Sequence, residues 1–554
     1  MPLLPVEIPP GIFKNSTQYQ AKNRWFDCNL IRFTEGRIKP IGGWSRLTDD
    51  QFTNPVRGMH SWRTSAGNQY LVIGTSKSVH LFDGSTIHDI TPTARADGAS
   101  MTAFSALTDF DVPGLGYGTD DYGEDYWGTP RSNANANLEA SVWHFDNLGD
   151  TLIGVLTTDG TLWKWPGTFS GSPSAASIMV QVEDSSGSND QVDNIGVIVT
   201  PERHVLTIGP GGNPRKVAFS SQGTLTEWTA SVTNTAGNIE LQTRGKLVTA
   251  RRTRYGVLLF TTSDIYRLNY LGPPLVYSVE RIAESAGPAG ANAVAGSADL
   301  VAWMSSQGRF FYYDGYVRPL TCDVADHVFT DINLEVAGIT AAGHNSKHSE
   351  IWWFYPTSGG TVPTRYVAWN YRDKTWVIGE LHRSFWHDSA ALGLQIAAGN
   401  YDSDNTTGGY LYRMEEDADD TRPSRDATIS APSNIQQLSE NVRVLSFGQG
   451  SSDGFNPCFA ETGAVELREG NKNLMVNQIV TDTDSGTNGL QFSIRTQFTP
   501  DGTSTTHGPF ALQSDGYTDA RFSGREGIMK IQSGFDQEWR FGTVRFDARL
   551  TGNR

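Results

Sequence analysis

The feature that most constrains the fold is a repeated hairpin, in which a turn residue leads into a short strand rich in aromatic side chains. Six copies occupy residues 77–84, 160–167, 223–228, 264–272, 308–315 and 408–415, and residues 365–379 supply a further hairpin. The copies that begin at residues 223, 264 and 308 are 41 and 44 residues apart. A period of roughly 40–50 residues is typical of a four-stranded propeller blade. We therefore predict an all-β fold with a β-propeller-like body of about six blades, because a closed ring of sheets protects its edges.

Composition agrees with a β-rich chain and limits its partners. Aromatic residues make up 11% of the 554 positions, charged residues make up 19%, and there are 58 glycines. The formal net charge is −16. A protein that grips nucleic acid needs a cationic surface to displace counterions, so this charge disfavours tight DNA binding. Two explanations remain open, which are ordinary solubility and a passage through which a polyanion moves without sticking.

The cysteines and the first residues bear on the cellular compartment. The three cysteines lie far apart in the sequence, and their odd number indicates neither a disulfide framework nor a CxxC metal site. The first residues lack the basic and apolar regions of a signal peptide. No apolar run reaches the roughly 20 residues that span a bilayer. We expect synthesis in a reducing cytoplasm and no membrane-spanning segment.

Changes in composition suggest four regions. Residues 1–48, with several prolines, are predicted to form an extended strap, here called the N-terminal strap. Residues 49–415 form the propeller body, with an insertion at about 93–140. Residues 416–440 are polar and linker-like, and residues 441–554 are expected to form a C-terminal β module that closes onto the body, or a last sheet that pairs with the strap.

The insertion contains an acidic, aromatic and glycine-rich stretch that we expect to be a long functional loop. We hypothesise that it lies at a channel, at an exit or at a subunit interface. The candidate residues are Asp109, Asp111, Asp120, Asp121, Glu124, Asp125 and Trp127.

Motifs for catalysis and metal binding are weak. No GxSxG, HExxH or P-loop pattern occurs. The aspartate-rich stretches 400–409 and 481–489 lack the closing glutamate of a calcium loop, which favours solvated turns. His382 and His387 have no carboxylate or cysteine partner at ligand spacing. We therefore predict no enzyme activity, no cofactor and no metal site.

The N-terminal strap carries an unusual density of aromatic, cationic and glycine residues. Between residues 9 and 44 it resembles the start of the tail nozzle proteins of short-tailed bacteriophages, also described as tail-tube hub or packaged-DNA stabilisation proteins. The matching residues are Pro10, Gly11, Thr17, Tyr19, Arg24, Trp25, Asp27, Arg32, Phe33, Gly36, Gly42, Gly43 and Trp44. Residues 524–554 are similar to the closing β-strands of the same family.

This resemblance implies a virion structural protein that is made in the host cytoplasm and resides in the tail. It implies a homo-hexameric ring below adaptor (head-to-tail) ring proteins, with an attachment surface for tail fibres. DNA would pass through the ring without specific binding. The alternative from another class is a glycan-binding or glycan-cleaving β-propeller.

The residues that carry the resemblance have a structural interpretation of their own. Arg24 and Arg32 can form forked hydrogen bonds to carboxylates or carbonyls. Buried aromatic side chains such as Trp25 each contribute a few kcal/mol. The Gly42–Gly43 pair permits a sharp reversal of the chain. We expect these residues to clamp the strap onto the first blade and to close the ring of strands, and the alternative is a plain amphipathic first hairpin without a role in assembly.

Overall fold

The computed structural model describes residues 3–95, 104, 140–167, 178–183, 191–400, 408–416, 458–466, 472–485, 490–497, 503–513, 516–533 and 539–553. The candidate residues Asp109 to Trp127 of the acidic insertion lie outside this part of the chain, as does most of the expected linker. Within the described residues, regular structure is almost entirely β, which confirms the all-β prediction.

The N-terminal strap is folded into strands. They are β1 (Leu3–Val6), β2 (Trp25–Asn29), β3 (Ile31–Thr34), β4 (Arg37–Pro40) and β5 (Gly43–Arg46). The first four join sheets built with the C-terminal part of the chain, whereas β5 joins the propeller. The strap therefore connects two bodies.

Three four-stranded antiparallel sheets follow along the chain. The first contains β6 (Val56–Arg63), β7 (Gln69–Thr75), β8 (Val79–Phe82) and β9 (Ile87–Asp89). The second contains β10 (Trp143–Leu148), β11 (Thr151–Leu156), β12 (Leu162–Lys164) and β13 (Val180–Gln181). The third contains β14 (Gly196–Val199), β15 (Val205–Ile208), β16 (Lys216–Phe219) and β17 (Gly237–Glu240). Residues 223–228, which we predicted to contain an aromatic strand, form turns between β16 and β17 instead.

Four further sheets of the same kind complete the series. The fourth contains β18 (Leu247–Thr253), β19 (Gly256–Thr261), β20 (Ile265–Tyr270) and β21 (Tyr277–Ala283). The fifth contains β22 (Val294–Gly296), β23 (Val301–Ser305), β24 (Arg309–Tyr313) and β25 (Val317–Leu320), and the helix α1 (Ala325–Asp331) follows it. The sixth contains β26 (Ala341–Asn345), β27 (Glu350–Pro356), β28 (Pro363–Asn370) and β29 (Thr375–Glu380). The seventh contains β30 (Phe385–Ser389), β31 (Leu394–Asn400), β32 (Gly408–Glu416) and, as its outer strand, β5.

The first strands of these sheets form a ring. Strand β6 contacts β10 and β30, β10 contacts β14, β14 contacts β18, and β26 contacts β22 and β30. The guanidinium of Arg251 on β18 donates to the carbonyl of Val294 on β22 at 3.0 Å, which links the fourth and fifth sheets. The sheets are thus the blades of a propeller, as predicted. The described residues contain seven blades where the hairpin spacing indicates about six, because the insertion and the N-terminal origin of β5 interrupt the period.

Neighbouring blades pack through close contacts between glycine and tryptophan. A Cβ atom at Gly343 on β26 would lie 2.4 Å from Cβ and Cγ of Trp386 on β30. The Trp386 ring in turn stacks on Trp352 of β27, with ring centroids 5.5 Å apart and an interplanar angle of 16°. The missing side chain therefore lets a large indole lie directly against the backbone of the adjacent blade.

The remaining strands form a β-sandwich from the two ends of the sequence. The C-terminal strands are β33 (Cys458–Thr462), β34 (Val465–Glu466), β35 (Lys472–Ser485), β36 (Gln491–Gln497), β37 (Thr505–Ala511), β38 (Tyr517–Gly524), β39 (Glu526–Ser533) and β40 (Trp539–Asn553). One sheet has the order β3-β4-β40-β35-β38, with β1 also paired to β40. The other has the order β2-β33-β39-β36-β37, with β34 also paired to β39. Buried residues of both sheets share one hydrophobic core, in which the rings of Phe492 and Phe546 approach to 6.3 Å.

The sandwich docks on the outer strands of the sixth blade. The backbone amide of Leu30 donates to the hydroxyl of Tyr366 at 2.9 Å, and the amide of Glu380 donates to the side-chain oxygen of Asn29 at 2.9 Å. The buried thiol of Cys28 lies 3.1 Å from the carbonyl oxygen of Ile378. Because these side chains share one core with the blade, sandwich and propeller are held together by buried contacts.

In the part of the chain that the structure describes, no helix is long or apolar enough to serve as a membrane span.

We expect the variant Gly343→Ala to lower the stability of the propeller by about 1–3 kcal/mol, because the added methyl group overpacks the contact with Trp386. The measurement is the midpoint of urea unfolding, followed by tryptophan fluorescence. Gly359→Asn is the matched control, since Gly359 lies in the turn between β27 and β28 with φ +78° and open space around it. Asparagine tolerates that conformation, so a small change is expected. An unchanged midpoint for Gly343→Ala would show that the contact is not tight.

Candidate functional site where the strap closes the fold

The seventh blade is completed by the N-terminal strap. In the pairing of β5 with β32, Trp44 lies opposite Met414, Ser45 opposite Arg413, and Gly43 opposite Glu416. The register shifts between Met414 and Glu416, so Glu415 is the extra residue of a β-bulge. Glu415 also has a positive φ of 63°. A bulge re-aims the side chain that it carries, and here it places the Glu415 carboxylate in the protein interior.

The carboxylate of Glu415 meets the strap residue Arg32. One guanidinium nitrogen of Arg32 donates to Oε2 of Glu415 at 2.8 Å, and a second donates to Oε1. The same guanidinium lies 3.1 Å from both carboxylate oxygens of Glu350 on β27. All three side chains are 2–3% exposed. We call Arg32, Glu350 and Glu415 the closure cluster, because it joins the strap to the sixth and seventh blades. The prediction that the strap is clamped onto the first blade is therefore wrong, since β5 pairs with β32 of the last blade.

Further hydrogen-bond donors surround the two carboxylates of the cluster. The amide of Gly42 donates to Glu415 Oε2 at 3.2 Å, and the side-chain amide of Asn345 donates to Oε1 at 2.8 Å. The imidazole Nε2 of His348 lies 3.3 Å from Glu415 Oε2. The indole of Trp352 donates to Glu350 at 3.0 Å. Glu415 therefore has more donors around it than Glu350 has.

The two carboxyl groups respond to burial in opposite directions. Burial alone would raise the pKa of Glu415, but Arg32 and His348 outweigh it, and the pKa of Glu415 falls well below its usual range. For Glu350, burial is the largest effect and the neighbouring Glu415 adds to it, so its pKa is raised above 4.5 despite Arg32. Burial would lower the pKa of Arg32, but the two carboxylates raise it above its ordinary value. Glu415 is thus the main counter-ion of Arg32.

Gly42 is required for the close approach of strap and bulge. A Cβ atom at this position would lie 2.6 Å from Cα and Oε2 of Glu415. The sequence predicts a chain reversal at the Gly42–Gly43 pair, and the structure adds a steric reason for the first glycine. Gly43 begins β5.

The other strap residues lie around the sandwich and its border with the propeller. Arg24 forms an ion pair with Asp323 at 3.1 Å and covers the Phe13 ring, and Asp27 pairs with Lys14 at 2.9 Å.

The strap aromatics differ in burial. Trp25 and Phe33 are buried with ring centroids 6.5 Å apart, and Trp44 lies beneath the guanidinium of Arg383 at 5.1 Å. Tyr19 is 38% exposed, so it contributes less to the buried core than the other aromatic side chains of the strap.

Sequence reasoning identified Arg32 but missed both of its carboxylate partners. Glu350 and Glu415 lie 318 and 383 residues away along the chain. One signal was present, since Glu350 begins an otherwise apolar strand, EIWWFYP, in which an acidic residue requires a partner.

A second site lies on the propeller axis. A cavity of about 1010 Å³ is lined by residues of the first strands of several blades, including His60, Arg251, His344 and His387. His387 contacts the hydroxyl of Ser61 through Nε2 at 2.9 Å. Among the described residues, no group of three or more His, Cys, Asp or Glu side chains is arranged to hold a metal ion.

No family model matches this chain, and no curated protein matches it. Three similar solved structures have low identity. The Pan2 WD40 domain of Neurospora crassa has 10% identity and a TM-score of 0.36, covering 67% of this chain and 95% of that chain. The computationally designed protein Ika8 has 9% identity and a TM-score of 0.32, covering 73% and 99%.

The third is PorZ, a bacterial surface component of the type-IX secretion system of Porphyromonas gingivalis. It has 7% identity and a TM-score of 0.33, covering 78% of this chain and 44% of that chain. The propeller assignment therefore depends on the strand pairing of this chain itself.

We expect Glu415→Gln to destabilise the protein by about 3–5 kcal/mol at pH 7, because it removes the main counter-ion of a buried guanidinium. Glu350→Gln is the matched control, since it removes the same charge from the same arginine and keeps an acceptor for Trp352. Its effect is expected to be much smaller because burial already disfavours the ionised form of Glu350. Urea unfolding midpoints of both variants test this, and equal losses would contradict the assignment of Glu415 as the main counter-ion.

The raised pKa of Glu350 gives a pH dependence with a defined sign. A carboxyl group with a raised pKa binds a proton more readily in the folded state, so its contribution to stability is present at low pH and is lost as pH rises through the folded pKa. Between pH 7 and pH 4.5 the stability of the wild type should therefore rise relative to that of Glu350→Gln. The measurement is the difference in unfolding midpoint at several pH values. A difference that does not change with pH would exclude a raised pKa.

Proposed function

We propose that this chain is a structural protein of a virion, a nozzle of the lower tail tube in a short-tailed phage. The proposal depends on one observation, which is what the residues shared with tail nozzle proteins do in this structure. Arg32, Gly42 and Trp44 close a propeller and bind it to a β-sandwich. These residues stabilise the fold. A protein that forms the wall of a tube requires side chains with this structural role.

The architecture supports a mechanical role. A propeller whose ring is closed by a paired outer strand leaves few open sheet edges, and a sandwich docked through a shared core adds a second rigid body. In this proposal six copies form a ring, with adaptor proteins above it and fibres attached at its side. The passage for DNA is the axis of the ring and not the propeller cavity, whose volume of about 1010 Å³ is that of a small-molecule site.

The test uses the full chain. Multi-angle light scattering should give six times the mass of the 60.6 kDa chain, and negative-stain images should show rings with an axial passage. Immunogold labelling of intact phage particles should place the protein at the tail. A monomer absent from purified particles would refute the proposal.

A glycan-binding propeller remains the second candidate, and one observation favours it. Tyr255 and Tyr316 lie in the β18–β19 and β24–β25 turns, with exposed fractions of 41% and 73%. The first of these turns follows the first strand of its blade, and the second follows the third strand of its blade. Because neighbouring strands of a blade run antiparallel, both turns lie at the same end of the propeller. Exposed aromatic rings at one end offer flat apolar faces with a polar tip. Screening the same purified protein against bacterial polysaccharides separates the two candidates, since binding or cleavage by a monomer would favour this one.

A further inference from the structure

The central cavity has a surplus of positive charge. Its described lining contains four cationic side chains, which are Arg251, Arg252, Lys347 and Arg413, and two carboxylates, which are Asp388 and Glu415. The Glu415 carboxylate is already neutralised by Arg32. The lining therefore carries more cations than its own acids can balance, although the whole chain has a net charge of −16.

The two neighbouring arginines of β18 differ in their partners. Arg252 pairs with the buried carboxylate of Asp146 at 3.1 Å. Arg251 donates only to the carbonyl oxygen of Val294, and its Nε is buried without a hydrogen-bond partner. No carboxylate among the described residues lies within ion-pair distance of Arg251. Burial lowers the pKa of Arg251, the charge of Asp146 opposes this in part, and the adjacent Arg252 lowers the pKa further.

Arg413 provides a second guanidinium without a counter-ion. It lies on β32 in the seventh blade, its side chain is exposed at the cavity, and no carboxylate among the described residues pairs with it. Arg251 approaches the same cavity from the fourth blade. Two guanidinium groups from separate blades thus face one cavity without acidic partners.

The rest of the lining is neutral at physiological pH and partly apolar. Burial lowers the pKa of His60, of His344 and of His387, the last to about 3, so these rings offer hydrogen bonds without charge. Met59 and Phe385 add apolar surface. The volume of about 1010 Å³ exceeds that of a bare anion and is at the upper end of small-molecule sites, roughly 300–1,000 Å³.

We propose that the central cavity binds a small organic phosphate, with Arg251 and Arg413 contacting the phosphate group. A guanidinium presents a planar fork of donors that matches phosphate oxygens in a bidentate manner. The bound anion supplies the ion-pair partner that Arg251 lacks, which offsets the cost of desolvating its half-buried charge. The organic part of the ligand lies against the apolar wall. The cavity adjoins the closure cluster at Glu415, but Arg251 and Arg413 are not members of that cluster, and the proposal does not depend on a ring.

The test is isothermal titration calorimetry of the full chain with inorganic pyrophosphate as the probe, in a chloride buffer of constant ionic strength. We expect saturable binding to one site per chain. Arg251→Gln and Arg413→Gln should each weaken binding at least tenfold. Arg254→Gln is the matched control, because Arg254 lies close to Arg251 in sequence but is 61% exposed and pairs with Asp299 outside the cavity.

A second measurement separates loss of binding from loss of folding. Without pyrophosphate, Arg251→Gln should unfold at a temperature close to that of the wild type, because removal of a half-buried charge without an ion-pair partner offsets the loss of the hydrogen bond to Val294. With pyrophosphate, the wild type should gain thermal stability and Arg251→Gln should not. The proposal is overturned if the wild type shows no saturable binding, if Arg254→Gln weakens binding as much as Arg251→Gln, or if a single-stranded oligonucleotide binds through Arg251 while pyrophosphate does not.

Discussion

The pairing of Arg32 with Glu415 and Glu350 is the interaction on which the rest of this structure depends. A guanidinium and two carboxylates are removed from water together, and each would be costly to bury alone. They come from the strap, the sixth blade and the seventh blade, so their mutual neutralisation requires all three to be in place. Hydrophobic contacts supply most of the driving force for folding, but this cluster allows only one arrangement of the three segments.

Consecutive segments of the strap complete two different parts of the fold, the sandwich and the seventh blade. Strands β2, β3 and β4 complete the sandwich sheets, and β5 completes the seventh blade a few residues later. The bulge at Glu415 links these two parts. The Glu415 carboxylate contacts Arg32 on β3, while the residues on either side of Glu415 pair with β5. Sandwich and propeller are therefore coupled through the backbone and through the ion cluster at the same place.

Much of the propeller could be predicted from the sequence, because the spacing of aromatic hairpins reflects local pairing between consecutive strands. The strap residues Arg32 and Trp44 were also identifiable, since their density of charge and aromatic surface demands partners. Their partners were not, because ion pairing between residues more than 300 positions apart leaves no local pattern. The predicted number of about six blades falls short of the seven in the described residues for a related reason, because the outer strand β5 comes from the opposite end of the sequence and interrupts the hairpin period.

The position of β5 in the sequence also has a consequence during synthesis. Trp44 leaves the ribosome roughly 370 residues before Met414, the residue opposite it in the seventh blade. At the usual translation rate of about 5–20 residues per second, that delay is roughly 20–70 s. During this interval the nascent chain carries an unpaired strand, and the guanidinium of Arg32 lacks both of its acids until Glu350 is made and lacks Glu415 to the end. The six preceding blades can stack in order as they emerge, but the circle cannot be completed until translation has passed residue 416.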